Sequence, residues 1–292
     1  MSITSRELDG SFAREILGVQ LWQELAPSQV EAIRAIWADC GVIVFRRQAL
    51  SEDELARFSA QFGKPERIAR SDWASPNRPD ITVISNLRDD AGKSIGGLGQ
   101  GELAWHTDQC YVAEPATGAM LYAIELPREG GVTSWANLNR AYEALPESLR
   151  RAVDGRIGIF SYAKRLAGYN ESDRVISDDI RRKTPDVTHP LVHVHPVSGR
   201  KALYFDPSTT SGIEGMSQED GTAALAELTS FCTQGRFVYH HHWQVGDVVM
   251  WDNGFLLHRR DDFDPAQRRM LKRTTIALPR DRHFVPKGAL AA

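Results

Sequence analysis

The sequence predicts a mainly β fold with flanking helices. Short segments rich in β-branched and aromatic residues follow one another over its last two thirds, and no long crossover helices alternate with them. Such segments favour an antiparallel sandwich or barrel over a parallel α/β sheet. The predicted strands are ITVIS (81–85), AMLYAIE (119–125), LVHVH (191–195), KALYF (201–205), FVYHHHW (237–243), DVVMW (247–251) and RTTIAL (273–278).

The chain of 292 residues contains no internal repeat and no linker rich in Pro, Gly or Ser. We therefore expect a single domain over 1–292, with a helical N-terminal layer over about 1–63 and a β core over about 80–280.

The N-terminal layer is predicted to run helix, strand, helix over 28–41, 42–46 and 51–63. Both helices show a capping box, apolar residues at helical spacing and a terminal glycine. The boxes pair Ser28 with Glu31 and Ser51 with Glu54, and the glycines are Gly41 and Gly63. Further along, 137–153 is predicted to be a helix broken at Pro146, and 217–235 a capped helix.

Composition limits the function classes. The 35 basic and 38 acidic residues give a net charge of -3 with no basic stripe, which argues against nucleic acid as the main partner. The 3 cysteines lack CxxC spacing, so neither a disulfide framework nor a cysteine-based zinc site is predicted. We see no signal peptide and no uninterrupted apolar stretch long enough for a membrane span. We expect a cytoplasmic protein that acts on a small molecule.

The stretch AWHTDQC (104–110) carries the first candidate ligands. On an extended strand, His106 and Asp108 would project from the same face and could bind one ion. His258 follows the strand DVVMW, which a jelly roll could return beside His106. Two histidines and one carboxylate are typical of non-haem Fe(II) enzymes, so the three residues form a candidate metal triad. Two polar strand residues remain the alternative for the HxD pair alone.

Arg269 and Thr133 suit the binding of a keto acid. An oxygen-activating iron needs electrons from a cosubstrate, and a chelating keto acid needs a fixed cation for its far carboxylate. Arg269 begins a predicted strand and offers a planar fork that pairs two oxygens, while Thr133 in EGGVTSW offers a hydroxyl donor. An ordinary surface ion pair is the alternative for Arg269.

Taken together, the chain resembles the Fe(II)- and 2-oxoglutarate-dependent dioxygenases of the taurine dioxygenase and 2,4-dichlorophenoxyacetate dioxygenase group. The matching stretches occur in the family's order from about residue 41 to residue 276. They are GVIVFRRQALSEDELARFSAQFG, WHTD, LPREGGVTSWANLNRAYEALP, HPLVHVHPVSGRKALYF, WQVGDVVMWDN and the run from His258 through QRRMLKRTTI.

This resemblance implies a double-stranded β-helix (jelly-roll) core and an enzyme that uses Fe(II), 2-oxoglutarate and O2. It implies His106, Asp108 and His258 as the iron ligands, with Arg269 and Thr133 holding the distal carboxylate of 2-oxoglutarate. An aspartate at the second ligand position favours hydroxylation over halogenation. If the hydroxylated carbon bears an ether oxygen, a nitrogen or a sulfonate, the product collapses and the substrate is cleaved.

The resemblance also implies a second arginine, Arg273, that binds an anionic group of the substrate. Tyr204 is a candidate wall residue of the substrate pocket. Several substrate classes stay open: aryloxyalkanoates or other organic acids, alkylsulfonates or sulfate esters, and the substrates of biosynthetic hydroxylases or desaturases. The family often forms homo-oligomers. Two other classes of protein also stay open, a non-catalytic jelly-roll metal-binding protein and a zinc hydrolase, although the latter has no use for Arg269.

The run HHH at 240–242 does not add a second metal site to the prediction. On a strand the middle side chain faces away from its neighbours, so the three imidazoles cannot chelate one ion.

Overall fold

The computed structural model describes residues 3–66, 71–99, 103–168 and 184–278. Strands dominate these residues, which confirms the mainly β prediction. The strands are β1 (Thr4–Glu7), β2 (Arg14–Leu17), β3 (Val42–Phe45), β4 (Lys64–Pro65), β5 (Ala74–Ser75), β6 (Arg78–Ser85), β7 (Gly97–Leu98), β8 (Leu103–His106), β9 (Gly118–Glu125), β10 (Thr133–Asn137), β11 (Ile157–Phe160), β12 (Val187–Pro190), β13 (Val192–Val194), β14 (Lys201–Leu203), β15 (Thr210–Ile213), β16 (Val238–His241), β17 (Val248–Asp252), β18 (Leu256–Arg260) and β19 (Met270–Ala277).

The described helices flank the strands. They are α1 (Pro27–Cys40), α2 (Glu52–Ala60), α3 (Leu138–Glu143), α4 (Glu147–Val153), α5 (Tyr162–Gly168) and α6 (Gln218–Cys232), with 3₁₀ turns at Ser71–Trp73 and Gly235–Phe237. The helix predicted to break at Pro146 is the pair α3 and α4. None of the helices in the described ranges is both long and apolar enough to cross a membrane.

Two sheets carry the architecture. The larger, here the major sheet, has the strand order β1-β2-β3-β17-β9-β19-β6-β5, with β4 attached to β19 and β7 to β6. The minor sheet has the order β16-β10-β18-β8. Strand pairing is antiparallel throughout the minor sheet, and in the major sheet it is parallel only where β2 meets β3 and β6 meets β7.

Alternation along β17 shows how the core is divided. Val248 and Met250 pack with α1 and α2 on the outer face of the major sheet. Val249 and Trp251 point the other way, into a cluster that includes Trp135 of β10 in the minor sheet. Because successive strand residues face opposite sides, a strand buried on both faces must be apolar at nearly every position. The sequence DVVMW meets that requirement.

The α1 helix begins differently from the prediction. Ala26 is its N-cap, and the Ala26 N–H donates to the Gln29 side chain at 3.0 Å. Pro27 takes the first helical position, where its missing N–H costs nothing, so the helix starts before the predicted Ser28–Glu31 box can form. The Gly41 C-cap, with φ 81, is as predicted.

The α2 helix follows the prediction at its start. Ser51 and Glu54 form the reciprocal capping box, and the helix ends at Ala60, before Gly63.

The sequence analysis did not anticipate several strands. The β1–β2 hairpin precedes the helices in the N-terminal layer and joins the edge of the major sheet. Strands β10 and β18, which form the middle of the minor sheet, were also missed. Both are short and contain polar residues, so their hydrophobic signal is weak.

Candidate metal centre and carboxylate pocket

Two of the predicted ligands lie on neighbouring strands of the minor sheet. His106 is the last residue of β8, and His258 lies in the middle of β18 rather than beyond a strand. The two residues are direct partners in the antiparallel register. Directly opposed residues of antiparallel strands project to the same side, so both imidazoles face one space. Their ring centroids are 4.1 Å apart.

Asp108 reaches the same space from a turn rather than from a strand, which corrects the prediction that His106 and Asp108 share an extended strand. Strand β8 ends at His106, and Gln109, at the centre of the turn, has φ 54. Thr107 fixes the turn, because its backbone N–H donates to Asp206 Oδ2 at 2.9 Å and its hydroxyl donates to the carbonyl of Asn253 at 2.9 Å.

The three side chains are spaced as metal ligands are. One ligand atom from each of His106, Asp108 and His258 lies within 4.8 Å of the other two, and no other such group was found in the part of the chain that the structure describes. The distance from His258 Nε2 to Asp108 Oδ2 is 4.0 Å, which is too long for a direct hydrogen bond. Two imidazoles and a carboxylate with open positions suit Fe(II).

Hydrogen bonding selects the nitrogen of His106 that faces the space. The backbone carbonyl of Ala104 lies 2.7 Å from Nδ1, so Nδ1 carries the hydrogen and Nε2 keeps its lone pair. The Nδ1 atom of His258 is buried and has no hydrogen-bond partner among the described residues. Burial lowers the pKa of both imidazoles, and the charge of Arg165 lowers that of His106 further. Neutral imidazoles are the form that binds a metal.

Arg273 stabilises the charge of Asp108. Burial alone would raise the pKa of the Asp108 carboxyl, but Arg273 and the two histidines hold it well below its usual range. The Nη1 atom of Arg273 lies 3.4 Å from each carboxylate oxygen, and its Nε is buried with no hydrogen-bond partner among the described residues. Arg273 lies in β19, with its side chain 17% exposed.

Arg269 is a buried arginine beside Gly131. We call Arg269, Thr133 and Gly131 together the carboxylate pocket, the candidate site of the cosubstrate. Arg269 is 1% exposed, and its Nε and Nη1 have no hydrogen-bond partner among the described residues. A Cβ at Gly131 would lie 3.2 Å from Arg269 Nε, so the glycine makes room for the guanidinium. The side chain of Asn86 accepts a hydrogen bond from the Arg269 backbone at 2.9 Å.

No acidic side chain among the described residues offsets the charge of Arg269. Burial, followed by the nearby charge of Arg260, lowers the pKa of the Arg269 guanidinium to about 9. A buried cation is usually paired, because the desolvation cost of an isolated charge is several kcal/mol. A buried guanidinium in this state can bind an anion.

The hydroxyl of Thr133 can act as a hydrogen-bond donor. The indole nitrogen of Trp243 donates to Thr133 Oγ1 at 2.9 Å. An indole N–H can only donate, so it occupies a lone pair of the hydroxyl and leaves the hydroxyl hydrogen able to donate elsewhere. Thr133 is 8% exposed.

Arg260 is a buried arginine near the metal centre that the sequence analysis did not single out. It is the last residue of β18, two positions after His258, and it pairs directly with Thr133 of β10. The spacing in LHRR could have indicated it, because a residue two positions from a ligand on a strand shares the ligand's face.

Tyr204 lies in a buried cluster. It is 3% exposed and packs with Cys110 and Phe160 behind the turn that carries Asp108. This position gives Tyr204 a packing role, and the predicted contact with the substrate stays a prediction.

Comparisons with known proteins agree with this geometry. The family model "Taurine catabolism dioxygenase TauD, TfdA family" matches residues 4–275. The chain is 34% identical to an alpha-ketoglutarate-dependent 2,4-dichlorophenoxyacetate dioxygenase of Cupriavidus pinatubonensis (strain JMP 134 / LMG 1197), over 94% of this chain and 98% of the relative. It is 31% identical to an alpha-ketoglutarate-dependent sulfate ester dioxygenase of Pseudomonas putida, over 92% and 87%.

A solved structure shares the fold. The crystal structure of AAD-2 in complex with Mn(II) and N-oxalylglycine superposes with a TM-score of 0.80 and 26% identity, over 96% of this chain and 98% of the other. These matches confirm the predicted jelly-roll core and the predicted Fe(II)- and 2-oxoglutarate-dependent dioxygenase, an oxidoreductase. The chain therefore belongs to the taurine catabolism dioxygenase TauD, TfdA family.

Proposed function

We propose that this dioxygenase hydroxylates a C–H bond of a small anionic substrate at an iron held by His106, Asp108 and His258. Arg269 and Thr133 hold the distal carboxylate of 2-oxoglutarate, and Arg273 binds the acid group of the substrate. The observation that carries the proposal is the presence, beside a His/Asp/His cluster, of a buried arginine that has no acidic partner among the described residues. A zinc hydrolase or a metal-binding protein without turnover has no use for that arginine.

The residues of the cluster fit the metal. His106 presents the lone pair of Nε2 because its Nδ1–H is bonded to Ala104, and Asp108 stays ionised beside Arg273. Fe(II) bound by this donor set supplies the centre at which O2 and the keto acid react. The protein holds the reactants in position and provides the surrounding charges.

The carboxylate pocket fits the cosubstrate. A carboxylate that reaches Arg269 would offset a buried positive charge and give its Nε and Nη1 hydrogen-bond partners. Thr133 would donate its hydroxyl hydrogen to the same group, because Trp243 already donates to the oxygen.

The substrate pocket is proposed at Arg273. This arginine is partly exposed, lies against the Asp108 carboxylate and has an Nε with no hydrogen-bond partner among the described residues. A substrate anion bound there would lie next to the metal. The relatives act on 2,4-dichlorophenoxyacetate and on sulfate esters. Either class contains a negative charge close to a C–H bond beside an ether or ester oxygen.

The proposed chemistry balances for such a substrate. One oxygen atom of O2 enters succinate while 2-oxoglutarate loses carbon dioxide, and the other enters the C–H bond. With an aryloxy acid, the hydroxylated carbon carries an ether oxygen and forms a hemiacetal. The hemiacetal breaks its C–O bond to release a phenol and an aldehyde acid.

The test is succinate formation with Fe(II), 2-oxoglutarate and O2 across aryloxy acids, alkylsulfonates, sulfate esters and amino acids. We expect one anionic class to stimulate turnover. Arg273→Met should then raise the KM for that substrate by about tenfold or more, since a charge-assisted hydrogen bond is lost. The matched control is Arg268→Met, because Arg268 is 65% exposed and pairs with Glu125. No stimulation by any anion would contradict the proposed substrate, and failure to bind 2-oxoglutarate would favour a metal-binding protein without turnover.

A further inference from the structure

Arg260 lies on the face of the minor sheet that carries the metal centre. In the register of β18 with β10, Arg260 pairs with Thr133 and His258 pairs with Trp135. Directly paired residues project to the same side, and residues two apart on a strand do so as well. The side chains of Arg260, Thr133 and His258 therefore share the inner face.

Arg260 also lies close to Arg269. Both guanidinium groups contact the ring of Phe263, with their central carbons 5.2 Å and 5.7 Å from its centroid. Arg260 is 4% exposed and Arg269 is 1% exposed. The charge of Arg260 contributes to the lowered pKa of Arg269, so the two cations act on each other inside the protein.

Two buried like charges are costly in the absence of an anion. Each guanidinium loses hydration, and their mutual repulsion is weakly screened because the groups are buried. The charge of Asp262, an exposed residue, raises the pKa of Arg260, while burial lowers it. An anion bound between Thr133 and Arg269 would be attracted by both arginines.

We propose that Arg260 is a second cation of the carboxylate pocket and sets its selectivity for a keto diacid over a keto monoacid. The inference rests on the proposed function, because it assumes that the distal carboxylate of 2-oxoglutarate binds at Arg269 and Thr133. Arg260 is paired with Thr133 across the two strands, so a carboxylate bound at Thr133 and Arg269 would lie near the positive charges of both arginines. The keto group and the near carboxylate, which chelate the metal, gain nothing from Arg260.

The test compares two ligands that differ only at the distal end. 2-Oxopentanoate has the same five-carbon chain as 2-oxoglutarate with a methyl group in place of the distal carboxylate. Binding of both to the Mn(II)-loaded protein is measured by calorimetry, which needs no turnover. The variants are Arg260→Met, which keeps much of the side-chain volume, Arg260→Gln, which keeps polar atoms, and Arg260→Lys, which keeps the charge.

The control is Arg259→Met. Arg259 is the adjacent residue of β18, so its side chain projects from the opposite face, where its guanidinium lies over Trp105 at 5.1 Å. Arg259 is next to Arg260 in the chain but lies on the opposite face of the strand. If the loss of any arginine from β18 weakened ligand binding, both Arg259→Met and Arg260→Met would show it.

We expect Arg260→Met and Arg260→Gln to weaken 2-oxoglutarate binding by about tenfold, on the scale of one charge-assisted interaction, and to leave 2-oxopentanoate binding unchanged. Arg260→Lys should recover most of the difference, and Arg259→Met should change neither ligand. Equal losses of affinity for both ligands would overturn the proposal and assign Arg260 a structural role. Unchanged affinity for both ligands would also overturn the proposal. If one of Arg260→Met and Arg260→Gln does not fold, the other variant tests the proposal. If the unaltered protein binds no 2-oxoglutarate, the proposed function and this inference both fail.

Discussion

Two of the buried groups of histidine and aspartate in the described residues differ in how far their hydrogen bonds are satisfied. Around His241, Nδ1 lies 2.7 Å from the Tyr239 hydroxyl and Nε2 lies 3.0 Å from Asp247 Oδ2. Asp247 also accepts from Arg46 and from the backbone of Gln244. We call Tyr239, His241, Asp247 and Arg46 the His241 network. Its side chains hydrogen-bond directly to one another.

The metal centre is arranged in the opposite way. His258 Nε2 and Asp108 Oδ2 stop 4.0 Å apart, and His258 Nδ1 has no hydrogen-bond partner among the described residues. Side chains that face one another without touching leave room for a ligand that takes their lone pairs. The difference teaches how the two roles can be separated. We expect a buried His/Asp group to bind a ligand when its nitrogen and oxygen atoms are spaced apart, and to stabilise the fold when they are in contact. Substitutions in each group test that distinction.

The largest effect is expected for His258→Ala. It removes one of the three proposed ligands, so turnover should fall by at least about 100-fold and Mn(II) binding should weaken in parallel. The free energy of unfolding of the metal-free protein should fall far less than in the Asp247 variant described next. Metal affinity is measured by calorimetry and stability by urea denaturation. Normal Mn(II) affinity in His258→Ala would contradict the assignment.

Asp247→Asn should show the converse behaviour. The carboxylate is fully buried and pairs with Arg46, so loss of its charge should lower the free energy of unfolding by about 3 kcal/mol. Mn(II) affinity of the folded variant should stay within about twofold of the unaltered protein. The distinction between the two groups breaks down if Asp247→Asn loses metal affinity and keeps its stability.

A third buried histidine, His189, should make the free energy of unfolding depend on pH. Burial lowers its pKa to about 4, against an ordinary value of 6.5, and its Nε2 lies 2.9 Å from the carbonyl of Cys110. Below pH 6.5 the unfolded chain therefore binds a proton that the folded protein does not, and stability falls as the pH falls from about 6.5 towards 4. We expect His189 to contribute a loss of about 2 kcal/mol between pH 7 and pH 5. Urea denaturation of His189→Gln should show a correspondingly weaker pH dependence, and an unchanged slope would refute this account.

The smallest effect is expected for Trp243→Phe. An aromatic ring, smaller than the indole, is kept while the donor to Thr133 is lost, so the Thr133 hydroxyl is no longer oriented. The KM for 2-oxoglutarate should rise by about fivefold, which corresponds to about one hydrogen bond. Trp22→Phe is the control, because Trp22 is exposed. A larger rise in the KM for the substrate than in the KM for 2-oxoglutarate would contradict the role of Trp243 in orienting the Thr133 hydroxyl.

Much of the fold and of the proposed site could be predicted from local patterns. A run of apolar residues identified β17, the capping box identified α2, and the family resemblance identified the cluster of His106, Asp108 and His258 that the structure brings together. The homo-oligomer stays a prediction.

The missed features depend on tertiary context. The spacing that favours Arg260 over Arg259 applies only on a strand, and β18 has too few apolar positions to be recognised as one from the sequence. The position of Asp108 depends on a turn held by Asp206, almost one hundred residues away. Pro27 moved the start of α1 by a steric preference that outweighs the Ser28 box.

The pairing of His106 with His258 has a consequence for the dynamics of the minor sheet. Strand β8 is the edge strand of that sheet, and its pairing with β18 is interrupted by a register shift next to His258. An ion bound between the two histidines would act as a cross-link across this edge, joining chain positions more than one hundred and fifty residues apart. Amide hydrogens of β8 should therefore exchange with solvent more slowly once metal is added, while those of β10, in the middle of the sheet, should change little.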